Sequence, residues 1–139
     1  MYSQLEKLLQ RRMTLLMTGR MQELAEEYVY PLPIYVAGRQ EVMRDAEEMV
    51  TTLTRLAAIQ KSKGVAKVDL LLDALEMPRH GRFRIWLTHI NRDARGEIVE
   101  QGQLVHYCRV TEAGIKIEMS DYPDCQVDWV IRSPRRALA

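Results

Sequence analysis

At 139 residues, 47% apolar and a formal charge of +1, the chain is the size of one ordinary domain with enough apolar content for a single core. Near-balanced charge leaves no basic field for neutralising phosphates, which excludes nucleic acid as the expected partner. Glu6, Lys7, Arg11 and Arg12 interrupt the N-terminal leucines where a signal peptide needs an apolar core, and no apolar run reaches the ~18 residues of a membrane span. The expectation is a cytoplasmic protein with no membrane partner. Cys108 falls in a strand-like segment and Cys125 near the C-terminus, without CxxC spacing, so both read as free thiols of a reducing compartment.

From Ser3 to Thr18, apolar residues at Leu5, Leu8, Leu9, Met13, Leu16 and Met17 recur with the period of a helix that buries one stripe. Ser3, with Glu6 three positions on, fits a capping box, and Gly19 fits the stop. Arg20 to Tyr28 then predicts a shorter helix burying Met21, Leu24 and Ala25. In Tyr28 to Val36 three tyrosines interleave with two prolines, which predicts extended backbone: an edge strand or an irregular wall. Arg39 to Lys63 reads as the longest helix, closed by Gly64.

Val65 to Glu76 follows a finished helix and precedes the Pro78 to Gly81 turn, so it reads as a strand. Arg82 to Asn91, Ile98 to Val110 and Ile115 to Ser120 alternate apolar and polar residues between short turns, and the four segments form an antiparallel meander. Pro123 to Ala139, with Trp129, is expected to be a partly docked arm on a single domain spanning residues 1–122. Helices followed by a run of strands are α+β in order, with the helices covering one face of a curved sheet.

The short helix with its tyrosine- and proline-bearing exit, the glycine before Arg39 (AGRQEVM) and the final Ala-Gly-Ile-Lys-Ile strand running out to Asp121 and Tyr122 resemble the nuclear transport factor 2-like superfamily, which includes ketosteroid isomerase-like and SnoaL-like polyketide cyclase-like proteins. The resemblance implies three helices on a four- to six-stranded, mostly antiparallel sheet that forms a cone around a hydrophobic pocket. It also implies homodimers paired through the sheet, and members that are enzymes or plain binding modules. Fold alone does not decide among these. The carboxylate arrangements of the isomerase and epoxide hydrolase branches have no residue-by-residue counterpart in this chain.

Strand pairing nominates the site residues. With Glu76 opposite Arg82, Asp69 falls opposite His89 and Asp73 opposite Ile85, and a carboxylate holding one imidazole nitrogen leaves the other free as a general acid or base. The alternative is a solvated surface pair worth under about 1 kcal/mol. In the next hairpin Val110 faces Ile115, Cys108 faces Ile117 and His106 faces Met119, making an apolar cavity wall with His106 as its polar group. Tyr107 against Glu118 and Arg109 against Lys116 then lie on the other face. Tyr28, Tyr30, Tyr35, Met17 and Met21 are candidates for the pocket mouth, their alternative being core packing. Trp86 and Trp129 are candidate anchors of a dimer interface. His80, His89 and His106 are too dispersed for a metal site, and no HExxH, GxSxG, P-loop or GxGxxG occurs. No metal or cofactor is expected. The chain therefore reads as a binding domain for a small hydrophobic or aromatic molecule. One alternative is a cofactor-independent isomerase, cyclase or dehydratase using His106 or His89 with Asp69. Another is a dimeric association module.

Overall fold

The computed structural model describes residues 2–124, so the arm expected at the C-terminus, Cys125 and Trp129 included, lies almost wholly outside the described residues. Helix α1 (Tyr2–Met17) buries Leu5, Leu9, Arg12, Leu15 and Leu16. It begins at Tyr2, which puts Ser3 inside the first turn and not at the cap. Gly19, at φ +75°, ends the helix by letting the Arg20 N–H reach back to the Leu15 carbonyl at 2.9 Å. Helix α2 (Met21–Ala25) buries its three expected residues but stops early. Tyr28 has already joined the sheet as a bridge to Ile117, and the Val29 N–H donates to the Ile117 carbonyl at 2.8 Å.

Two short strands follow, β1 (Leu32–Val36) and β2 (Arg39–Met43), where the sequence pattern predicted helix from Arg39 onward. Ala37 and Gly38 have φ values of +50° and +79° between the paired ends Val36 and Arg39. This is a tight hairpin whose two turn residues are left-handed, matching the twist of the strands it joins. Glu41 and Met43 consequently alternate inward as strand residues. Helix α3 (Ala46–Ser62) starts only after Asp45, whose carboxylate accepts the Glu48 N–H at 3.0 Å. β2 therefore takes the sheet edge, and β1 is not an edge strand. Its missing donor at Pro33 is harmless to the inner ladder, because pairing with β6 begins at Ile34.

Strands β3 (Lys67–Leu75), β4 (Arg82–Arg92), β5 (Ile98–Thr111) and β6 (Gly114–Tyr122) form the predicted meander. The six-stranded sheet has the order β2-β1-β6-β5-β4-β3, antiparallel throughout except for β1 beside β6. Its register slips near Asp73, between Asn91 and Arg92, and at Glu118. Each slip adds local twist, bending the sheet into the curved, unclosed cup over which the helices pack. The core lies between: Leu15, Leu24, Leu32, Met49, Ile85 and Leu87 are almost completely buried.

Candidate ligand-binding cavity

The core does not fill the cup. A cavity of about 320 Å³ remains between helices and sheet, at the low end of the size range of small-molecule sites. α1 contributes Arg12, Met13 and Leu16, and α3 contributes Leu53, Leu56 and Ile59. Leu70, His89, Asn91, Leu104, His106 and Tyr122 face these from the strands. Aliphatic side chains thus make up much of the wall, and Gln60, Glu100 and Asp124 add further polar groups to it. Solvent-exposed Lys63, Gln101 and Gln103 mark its open end, whereas Arg12, Tyr28 and His106 are all buried.

His106 owes its setting to the slip at Glu118. Cys108 faces Ile117 as the alternation predicts, but the extra residue shifts Tyr107 opposite Met119 and His106 opposite Ser120. This corrects both the His106–Met119 and the Tyr107–Glu118 pairings. Glu118 instead points to Arg82 on the outer face, 3.0 Å away. The bulge turns Ser120 inward, where its hydroxyl lies 2.7 Å from His106 Nδ1. A buried imidazole needs such a partner. Burial, followed by the field of Arg12, holds His106 well below the usual histidine pKa, so the ring is neutral at physiological pH.

Arg12 is 4% exposed. One of its terminal nitrogens, Nη2, donates to the Tyr28 hydroxyl at 2.5 Å, and the guanidinium carbon sits 4.9 Å from the centre of the same ring. Among the described residues Nε and Nη1 have no hydrogen-bond partner. Burial disfavours the charge, but the neighbouring Tyr28, Glu27 and Tyr122 outweigh it and hold the guanidinium above its ordinary pKa. Glu27 Oε1 is also unpartnered, and burial raises the Glu27 pKa against the pull of Arg12.

The Asp69–His89 pair does not form. The hairpin between β3 and β4 closes on Arg79 and Arg82, with His80 and Gly81 at positive φ in the turn, and Glu76 meets Arg84. After a further shift at the Asp73 bulge, Asp69 is opposite Ile90, and Leu70 opposite His89. A slip of one residue puts the two groups on opposite faces. Asp69 binds Arg92 at 3.0 Å on the outer face, and that hydrogen bond lowers its pKa. Asp73, at the bulge and not opposite Ile85, accepts the Thr88 hydroxyl at 2.6 Å. His89 does line the cavity, its ring lying against Gly102 of the neighbouring strand.

Among the expected ligand-binding residues only Tyr28 lines the cavity. Tyr30 donates to the Ala25 carbonyl at 2.5 Å, and Tyr35 alternates away from the buried Ile34 and Val36. Met17 is 42% exposed, and Met21, Cys108 and Ile117 are core residues. Met119 faces Tyr107, away from the cavity. Trp86 lies on the outer face with the Arg84 guanidinium 5.0 Å from its ring. Sequence reasoning missed Arg12, although its signal was present: Leu5, Leu9, Arg12 and Leu16 fall at helical spacing, so a charge occupies the apolar stripe.

Similar cups occur in solved structures. A nuclear transport factor 2-like protein with a cystatin-like fold from Novosphingobium aromaticivorans superposes with a TM-score of 0.66 at 14% identity, covering 99% of this chain and 87% of its own. Aln2 from a Streptomyces species gives 0.65 at 12% identity, covering 86% and 87%. A nuclear transport factor 2-like protein of unknown function from Shewanella oneidensis gives 0.64 at 12% identity, covering 87% and 98%. This chain has the nuclear transport factor 2-like fold. No protein-family profile and no curated protein sequence matches it. Within the fold the cup is a recurrent scaffold, so the cavity lining is what distinguishes this chain. Among the described residues, no helix is long and apolar enough to cross a membrane and no cluster of His, Cys, Asp or Glu could hold a metal ion.

Proposed function

We propose that the chain binds a small, largely apolar molecule in the cavity between its helices and its sheet. The observation that carries this reading is a space of about 320 Å³ whose lining mixes aliphatic side chains from helices and strands with buried polar groups, Arg12, Tyr28 and His106. Apolar walls supply affinity, and a few fixed polar groups orient the ligand. Titration with the neutral naphthalene dye prodan tests it. Wild-type protein takes up the dye saturably with a blue-shifted emission, and Leu56→Trp, which fills the cavity from α3, removes the uptake. Absence of saturable uptake by wild-type protein, or uptake untouched by Leu56→Trp, refutes the reading.

A second reading, acid–base catalysis at His106, has specific support. The ring faces the cavity and Ser120 holds Nδ1, which leaves Nε2 for a ligand. The same burial argues against strong basicity: a general base works best with a pKa near the operating pH, and this one is far below it. Binding without transformation is the better supported function.

A further inference from the structure

We propose that the ligand of this cavity is a monocarboxylate with a compact apolar body, its carboxylate paired with Arg12. This rests on the cavity being a binding site and adds the chemical class of its occupant. A guanidinium taken out of water without a counter-ion is destabilising, and buried charges are normally paired. Arg12 is buried on the stripe of α1 that otherwise packs leucine, and no carboxylate among the described residues lies within ion-pair distance of it. Glu27 acts on it only from farther off, and burial pushes that carboxyl toward its neutral form. The Tyr28 hydroxyl occupies one donor of a planar fork that offers five, and Nε and Nη1 have no partner among the described residues. A carboxylate suits such a fork, accepting parallel hydrogen bonds that a neutral oxygen does not match.

The rest of the lining narrows the class. Two carboxylates also line the cavity, Glu100, which is bound to Lys63 at 2.7 Å, and the exposed Asp124, which accepts the Gln103 N–H at 3.4 Å; with His106 neutral, Arg12 is the charged group buried in the lining. That matches a monoanion better than a phosphate dianion. The buried Asn91 Oδ1 on the cavity wall, also without a partner among the described residues, offers an acceptor for a hydroxyl on the ligand body.

The test compares naphthoate with naphthamide, its uncharged counterpart of nearly the same shape, by calorimetric titration of the full chain at neutral pH. Hydrogen bonds to charged groups contribute about 1.5–3 kcal/mol, so wild-type protein should prefer naphthoate by roughly tenfold or more. In Arg12→Met, which keeps the side-chain length without the charge, the preference disappears while naphthamide still binds. Equal affinities in wild-type protein, or a preference that survives Arg12→Met, overturn the carboxylate assignment and leave the cavity reading standing. Failure of wild-type protein to bind either probe overturns both. The wild-type comparison needs no variant.

Discussion

Replacing His106 by asparagine isolates a buried group whose protonation the folded state resists. In the native protein the ring is enclosed, bound to Ser120 and close to Arg12, so its pKa lies well below the usual value. In the unfolded chain it returns to about 6.5. Below that value the unfolded state takes up a proton that the native state refuses, so the stability this histidine contributes is present above about pH 6.5 and is lost as pH falls. The slope approaches about 1.4 kcal/mol per pH unit at most, so integrating from about pH 7 to about pH 5 caps the loss at about 2 kcal/mol. Asparagine keeps an amide for Ser120 and does not titrate. Glu27, whose raised pKa makes its own contribution grow as pH falls, is common to both proteins and cancels in the comparison. Urea unfolding at the two pH values should show wild-type protein losing more stability than His106→Asn, by up to about 2 kcal/mol, whatever their absolute stabilities. Parallel pH dependences would refute the reasoning, because they require His106 to be protonated within the folded core.

Gly102→Ala would place a Cβ 2.9 Å from His89 Nε2. The imidazole is the free end of a side chain and should swing aside at a cost within about 0.5 kcal/mol, seen as shifted His89 signals in NMR spectra, and a larger loss would show the ring to be held. Burial pushes the Cys108 thiol up to about 12, so in a Cys125→Ser background it should resist Ellman's reagent at neutral pH and react only on unfolding. Asp45→Ala removes the carboxylate that accepts the Glu48 N–H at 3.0 Å at the start of α3 and should lower unfolding free energy by about 1 kcal/mol, measured by urea denaturation.

The divide between what could and could not be read in the chain follows the range of the forces involved. α1 was legible because its stripe and the glycine that ends it act within a few residues, and the four-strand meander because alternation and turns are equally local. Arg39–Met43 was misread because Val42, Ala46 and Met49 fit a helical period. The competing force was the left-handed Ala37–Gly38 turn, which folds this segment back onto β1. The Asp69–His89 pairing failed on a net slip of a single residue, set by a turn centred on His80 and Gly81 that is tighter than the sequence suggested together with the register shifts along β3 that include the bulge at Asp73. His106 was recognisable as the polar group of an apolar wall. Ser120 as its partner was not, since the bulge at Glu118 interrupts an alternation that runs on smoothly in the sequence.

The sequence by itself determined the α+β class, the strands of the meander and the presence of an apolar interior with a histidine in it, because periodicity and turn chemistry are properties of neighbouring residues. Only the tertiary structure decided which groups share the cavity. Register, bulges and the seating of α1 depend on pairings across the whole chain, and those alone bring Arg12, Tyr28 and His106 into one cavity and carry Asp69 to the other side of the sheet.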